Sequence, residues 1–299
     1  MAEEAVAAPT QEPGRALDAD RPSVSGLKRI GFIALLFAAS AVFLTPFVWL
    51  LSASLKARSQ VFNRDWIPDP VQPGNYAEVF NQAPFLSWLG NSGLVGVLAA
   101  GSVTISSAVV AFAFAYFRFP FRNVLFGLVL ATMMLPGAVT MIPTFLIWKG
   151  LGQVNTLTPL WAGNLFASAF YIFLLRQFFL TLPRELFEAA RVDGANYIQM
   201  FRSIAVPLVR PALIVVFIFE LKASWTDLIK PLIYLQNSEL FTLPRGLKAL
   251  VDAFGTQGGE GKWELLMAAS VLVTLPVIVI FFLGQRYFME GIATTGSKG

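Results

Sequence analysis

The side chains that most often carry enzyme chemistry are scarce in this sequence. The 299 residues include no His and no Cys, which excludes the usual zinc sites, Ser-His-Asp and Cys-His nucleophiles, and histidine proton relays. Polar candidates remain inside one otherwise apolar stretch, 212–235, which carries Glu220, Lys222, Asp227 and Lys230. Enzyme functions are therefore disfavoured, and we predict no catalytic residue, metal site or bound cofactor in this chain.

The spacing of the polar residues in that stretch suggests a shared helix face. Glu220, Ser224 and Asp227 lie at positions i, i+4 and i+7, with Trp225 beside them. A charge near the bilayer centre costs about 2.5 to 3.5 kcal/mol, so it needs a partner or water. Two hypotheses stay open: the face lines a translocation path, or its charges pair with a partner subunit or with the lysines of the same stretch.

One segment superficially resembles a phosphate-binding loop. The sequence GGEGKWE, at 258–264, contains a Gly-Lys pair. Position 256 is Thr where the pattern needs Gly, and Trp263 stands where Ser or Thr would hold magnesium. A flexible loop is the better interpretation, so this chain is not expected to hydrolyse ATP.

Membrane helices must position these residues, because the composition is too apolar for a soluble domain. Hydrophobic residues make up 56% and charged residues 13%, whereas soluble domains carry about 25% charge. A helix crosses the hydrocarbon core with roughly 20 apolar residues. We predict an all-α polytopic protein with six transmembrane helices. Pro136, Gly137 and Pro143 can break the hydrogen-bond ladder of the third. Broken helices often mark the moving or binding region of a transporter, although proline kinks are common in any membrane helix. The spans are 30–51, 94–117, 124–148, 157–175, 212–235 and 265–283.

Basic residues set the predicted orientation. The larger set of Lys and Arg flanks the side that holds the loop 176–210 and both termini, so that side is cytoplasmic. Topology then explains the net charge of +4, and nucleic-acid binding is not predicted. Residues 1–26 are expected to form a disordered cytoplasmic tail, 27–290 the membrane domain, and 291–299 a second cytoplasmic tail.

The loop LPRELFEAARVDGANYIQMFRSIAVPLVRP predicts a short helix over 183–192. Pro183 suits a first helical turn, and Glu185 and Glu188 complement the positive helix end. Gly194 supplies a left-handed C-terminal cap. A second helical segment from 197 to about 204 should follow and should end near Pro207.

The first of these helices is amphipathic, because Leu186, Phe187 and Ala190 share its apolar side. The loop has too few residues to make a core of its own, so this apolar side needs a partner. Two alternatives fit the pattern equally: the helix packs at the membrane interface or under its own bundle, or it docks on another protein.

The same loop resembles the EAA motif of importer permeases in the ATP-binding cassette superfamily. That motif reads EAA, three residues, Gly, nine residues, Ile, any residue, Leu, Pro. Every spacing matches, and Val206 conservatively replaces the motif's Leu. The matching residues are Glu188, Ala189, Ala190, Gly194, Ile204 and Pro207.

From about residue 29 onward the chain is similar to the second, six-span permease subunit of the carbohydrate uptake family that includes the maltose system. The similarity rests on ordered short segments: WIPDPVQPGNYAEVF, WLGNS, FLLRQFF, LFTLPRGL and QRYFMEGIATTGSKG. Trp225-Thr226-Asp227 departs from the family's usual Trp-Asn-Asp at Thr226.

The resemblance implies a type I importer permease fold, in which the segment 183–194 is a coupling helix that sits in a cleft of a separate ATPase. Small alanines and Phe187 would form the inserted knob, and Glu188 and Arg191 the polar rim. The residues assigned to ATPase coupling are Phe187, Glu188, Ala189, Ala190, Arg191, Asp193, Gly194, Ile204 and Pro207.

The resemblance also implies the partners: a different second permease, two ATPases that hold ATP and magnesium, and an external binding protein, in the bacterial inner membrane. The expected substrate is a sugar or oligosaccharide, with Glu220, Ser224, Trp225 and Asp227 as path residues. The outer loop 236–264 is expected to contact the binding protein. The main alternative is an ion-coupled secondary transporter using the two carboxylates of span five; an intramembrane hydrolase lacks paired aspartates.

Overall fold

Helices make up the regular structure of the protein, and the computed structural model describes residues 26–255 and 261–293. No strand occurs within those residues, which confirms the predicted all-α class. Short 3-10 or π segments lie at Arg58–Gln60, Ala162–Phe166, Phe201–Ala205 and Ser238–Leu240. The α-helices are α1 Gly26–Ser54, α2 Gly74–Gln82, α3 Phe85–Tyr116, α4 Arg122–Thr132, α5 Gly137–Gly150, α6 Thr158–Trp161, α7 Ala169–Leu180, α8 Arg184–Val192, α9 Tyr197–Met200, α10 Val206–Leu208, α11 Arg210–Thr226, α12 Ile229–Tyr234, α13 Leu243–Phe254 and α14 Trp263–Ala293.

The chain divides into two compact units, 1–49 and 50–299. The first is described from residue 26 and consists of most of α1. In the second, α3 is the central helix and packs against α7 and α11, while α14 packs against α2, α11 and α13. At Gly96 an added Cβ would lie 2.8 Å from the Leu221 side chain, so the missing side chain allows α3 and α11 to approach closely.

Three helical stretches are each long and apolar enough to cross a membrane: Lys28–Ser54, Phe85–Tyr116 and Trp263–Phe282. Three bent helix pairs meet the same condition only together. They are α4 with α5, the segment Thr158–Phe166 with α7, and Tyr197–Leu208 with α11. Counting each bent pair as one span gives the predicted six.

The third span is broken at Pro136 and Gly137, as predicted, but not at Pro143. α4 and α5 meet at 95°. Between them Pro136 has an extended backbone with φ −61° and ψ 131°, and as a proline it cannot donate a hydrogen bond to a continuous helix. Pro143 lies inside α5 without ending it.

The fourth predicted span, 157–175, differs from the structure at both its middle and its end. The helix pair bends by 41° near Ala167, which has a positive φ of 64°. α7 then continues to Leu180 and so includes Arg176, which the sequence analysis placed in a loop. The helix accommodates this charge because Arg176 lies over the Phe126 ring, 4.3 Å from its centroid.

The fifth predicted span, 212–235, is two helices in the structure. α11 ends at Thr226, and α12 begins at Ile229 after Asp227 and Leu228. The amide nitrogen of Pro231 carries no hydrogen, so an uninterrupted helix would lack a hydrogen bond at this point.

The two ends of the chain can be compared with the predicted tails and with the predicted end of span six. Residues 1–25 and 294–299 lie outside the described part of the chain, and with them most of the two predicted tails. α14 runs to Ala293, beyond both the predicted end of span six at 283 and the predicted start of the tail at 291.

Candidate functional site

We call residues 181–209 the EAA loop. Its first helix, α8, starts after Pro183, which has φ −59° and ψ 129°. It ends in a full Schellman cap, since the Gly194 amide donates to the Arg191 carbonyl at 3.1 Å and the Ala195 amide to the Ala190 carbonyl at 2.9 Å. Gly194 has the predicted left-handed conformation, with φ +83°.

The second helical part of the EAA loop opens with a capping box. The Asn196 side chain accepts a hydrogen bond from the Gln199 amide, and the Gln199 side chain accepts one from the Asn196 amide. Helical backbone then continues through a π turn at Phe201–Ala205 to α10. Pro207 lies within α10 and does not end it, because proline is accepted in a first helical turn. The segment ends at Leu208, which confirms the predicted end near Pro207.

An aromatic cluster fixes α8 to the end of α3. Phe187 is 4% exposed, and its ring centroid lies 5.0 Å from that of Tyr116 and 6.0 Å from that of Phe112. Arg191 donates a hydrogen bond to the Tyr116 hydroxyl at 3.0 Å, and its guanidinium lies over the Tyr197 ring. α8 is thus attached to the protein's own bundle by both apolar and polar contacts.

This attachment corrects one part of the predicted site. Phe187 does not project outwards as part of a knob, because its apolar ring is buried under α8 among the aromatic residues of α3. Of the other predicted residues, Ala190 and Ile204 are half-buried. The remaining ones are exposed: Glu188, Ala189, Arg191, Asp193, Gly194 and Pro207.

A groove of about 480 Å³ lies between α8 and the end of α3. Three arginines, Arg118, Arg184 and Arg191, line it together with Glu188 and aromatic rings. The loop therefore presents a short rigid helix with small side chains, a charged rim and a groove beside it. Such a surface is suited to docking on another protein.

Glu220, the first predicted path residue, is bonded inside the chain's own bundle. Its carboxylate accepts a hydrogen bond from Asn164 Nδ2 at 2.6 Å. Asn164 also donates to the Ala99 carbonyl of α3. Sequence reasoning missed Asn164, although a single amide side chain within an apolar span was a signal that it bonds to something.

The other three predicted path residues do not join Glu220 on one open face. Asp227 lies beyond the end of α11, and its Oδ1 accepts hydrogen bonds from the amides of Ile229 and Lys230 at 3.0 and 3.2 Å. Trp225 is 6% exposed and lies near the Val273 carbonyl of α14. Ser224 is half-buried. The third member of the i, i+4, i+7 pattern is thus the C-cap of α11, where its carboxylate caps the start of α12.

Two neighbours of these residues face outwards instead. Lys222 and Thr226 line a groove of about 630 Å³ between α11 and α14, with Ala223 between them. The sequence contained a sign that these two residues share a helix face, since Lys222 and Thr226 also stand at i and i+4.

The phosphate-loop segment 258–264 lies partly outside the described residues. In its described part, Lys262 donates to the Gln82 side chain at 3.1 Å and stacks on the Phe254 ring. Trp263 begins α14. These contacts hold the lysine among protein groups of the outer loops.

Comparison with known proteins decides the family. The model of the family described as "Binding-protein-dependent transport system inner membrane component" matches residues 107–293, more than half of the chain. The chain belongs to this family. It is therefore an inner-membrane permease component of an ATP-binding cassette importer, and the predicted resemblance is confirmed.

Curated relatives agree over nearly the whole length of this permease. It is 33% identical over 276 residues to the arabinooligosaccharides transport system permease protein AraQ of Bacillus subtilis (strain 168), covering 91% of this chain and 96% of that protein. It is also 33% identical over 276 residues to the sn-glycerol-3-phosphate transport system permease protein UgpE of Yersinia pestis bv. Antiqua (strain Antiqua), covering 89% and 96%.

Solved structures confirm the type I permease fold. A chain of a bacterial ABC transporter that imports the acidic polysaccharide alginate matches with a TM-score of 0.79 and 24% identity, over 90% of this permease and 100% of that chain. A second match comes from an alginate ABC transporter in complex with its pentasaccharide-bound periplasmic protein, at a TM-score of 0.62 and 15% identity, over 87% and 94%.

Proposed function

We propose that the permease is one of two different membrane subunits of an ATP-driven importer for a sugar or oligosaccharide, coupled to separate ATPases through α8. The observation that carries the proposal is the architecture of the EAA loop. α8 is capped at Gly194, anchored by Phe187 and open to solvent at Glu188 and Ala189. These are the properties of a helix that transmits force from a docked protein.

The anchoring suggests how force would pass through the chain. A push on α8 would reach α3 directly, because Phe187 and Arg191 contact Phe112 and Tyr116 near its end. α3 packs against α7 and α11, so the rigid connection would move several spans together. Alternating access would follow from that movement, with the bend between α4 and α5 as a flexible point.

The proposed partners are those that a permease of a binding-protein-dependent transport system works with. ATP and magnesium would be bound by two ATPase subunits on the cytoplasmic side, where the EAA loop and both termini would lie. A substrate-binding protein would deliver the solute to the outer loops, including 236–264. The relatives that transport arabino-oligosaccharides and sn-glycerol-3-phosphate support a sugar or sugar-derived substrate.

Co-purification tests the proposal. Within the described residues, two left-handed glycines have no heavy atom within 4 Å of an added Cβ: Gly194 in the EAA loop, with φ +83°, and Gly152 after α5, with φ +69°. Aspartate would strain the backbone similarly at both, by about 1 to 2 kcal/mol. Only at Gly194 would it also disturb the docking helix.

We expect Gly194→Asp to abolish recovery of the ATPase with a tagged permease and to lower transport at least tenfold in cells. Gly152→Asp should remain within about twofold of wild type in both measurements. Normal uptake by Gly194→Asp would contradict the proposal. So would a wild-type chain that purifies alone and transports on an ion gradient, which would instead support secondary transport.

A further inference from the structure

Lys222 is a charged residue of α11 that the proposed function leaves without a role. It lines the groove of about 630 Å³ between α11 and α14. Within 26–255 and 261–293, the ion pairs join Arg58 to Glu264, Lys230 to Asp227 and Lys248 to Asp252, and none includes Lys222. None of the described side chains that line the groove is acidic.

The position of Lys222 in the span makes an open ammonium group unfavourable. It lies about 18 Å along α11 from Arg210, at a rise of about 1.5 Å per residue. A hydrocarbon core is about 30 Å thick, so this places the residue well inside the membrane. Charged side chains at that depth face a partner or water. Glu220 does not serve as the partner, since it lies about 200° around the helix and bonds to Asn164.

The walls of the groove fit a helix better than a sugar. Among the described residues, the side chains around it are apolar apart from Lys222, Thr226 and the indole N–H of Trp225, such as those of Ile218, Val277 and Ile280. That N–H already donates to the Val273 carbonyl at 3.5 Å. A sugar has many hydroxyl groups, and these would be left without partners against such walls. A transmembrane helix satisfies its own backbone and presents apolar side chains. The exposed small residue Ala223 lets a second helix approach α11 closely.

We propose that this groove receives a transmembrane helix of the second permease subunit, and that an Asp or Glu of that helix pairs with Lys222. The inference rests on the proposed function, which supplies the second subunit. Charge complementarity inside the membrane would fix the depth at which the two helices meet and would exclude a second copy of this chain, since it would place two lysines together.

The charge of Lys222 can be tested in the assembled transporter, purified through a C-terminal tag on this chain. We expect Lys222→Met and Lys222→Glu to lower recovery of the second permease about tenfold or more, because removal of one partner leaves a carboxylate unpaired in the membrane. Lys222→Arg should retain most of it. Lys149→Met, an exposed lysine in the last turn of α5, is the matched control and should behave as wild type.

Two results separate failure of this inference from failure of the proposed function. Equal recovery of the second permease with wild type, Lys222→Met and Lys222→Glu overturns the inference alone. A wild-type chain that brings no second permease and no ATPase overturns both.

Photocrosslinking keeps the inference testable if the charge variants fold poorly. The photoreactive residue p-benzoylphenylalanine replaces Thr226, one turn from Lys222 in the same groove, and leaves the lysine intact. Crosslinking to the second permease in native membranes is the expected result. Crosslinks to lipid alone overturn the inference. Because the chain contains no Cys, Thr226→Cys can also be probed by itself with Lys222 intact. Rapid modification by a charged aqueous thiol reagent in the assembled transporter would place the groove in a water-filled path and overturn the inference.

Discussion

The EAA loop and span five both carry charged residues in conspicuous patterns, but the two regions differ in what those residues do. In the EAA loop the sequence pattern predicts the local structure. α8, its Schellman cap at Gly194 and the capping box at Asn196 all follow from short-range rules. In span five tertiary packing decides the surroundings of Glu220 and Lys222, and only Asp227 follows a local rule. Glu220 bonds inwards, Asp227 caps α12 and Lys222 faces a groove. Short-range sequence signals thus predict helix ends well. The direction in which a charged side chain points depends instead on which parts of the chain pack against its helix.

The largest expected effect comes from removing the aromatic anchor of the EAA loop. Phe187→Ala would empty a site between Phe112 and Tyr116, and burial losses of this kind cost about 3 to 5 kcal/mol. Because the ring joins α8 to α3, we expect a clear fall in the unfolding temperature of the detergent-purified protein and loss of ATPase recovery. Thermal unfolding and co-purification provide the measurements.

Leu186→Ala is the matched control for that variant, since Leu186 precedes Phe187 on the same helix and is 43% exposed. Its unfolding temperature should stay close to that of wild type. If Phe187→Ala unfolds like Leu186→Ala, the ring does not hold α8, and force would have to reach the bundle by another route.

The same distinction shows how much the sequence could predict. The six spans, the break at Pro136 and the cap at Gly194 were predictable because each depends on residues close together in the chain. The partner of Glu220 was not, since Asn164 comes from another span. Phe187 was assigned to the wrong side of α8 for the same reason: an amphipathic helix shows that an apolar face needs a partner, but not whether the partner is the bundle or another protein.

A smaller effect is expected at Glu220, and it tests whether this carboxylate is structural. Glu220→Ala would leave the Asn164 amide without its short hydrogen bond, at a cost of about 1 to 3 kcal/mol for an unsatisfied buried donor. Glu220→Gln keeps an acceptor and should be milder. The unfolding temperature should fall in that order, while the substrate concentration that half-maximally stimulates ATP hydrolysis stays unchanged. A shifted substrate dependence at unchanged stability would instead place Glu220 in the path.

The smallest effect is expected at Asp227, where the chemistry of the helix cap can be separated from charge. Asp227→Ala removes the acceptor for the Ile229 and Lys230 amides, and loss of such a cap costs about 1 kcal/mol. Asp227→Asn keeps a capping oxygen but removes the negative charge and the contact with the Lys230 ammonium, 3.6 Å away. Asn and Asp are similar caps, and the ion pair, in which the Lys230 side chain is 52% exposed, is expected to contribute little. Asp227→Asn should therefore unfold within about a degree of wild type and Asp227→Ala below both, by the same thermal measurement. Equal losses in the two variants would mean that the charge matters at this break between the helices, as it would if Asp227 faced a solute.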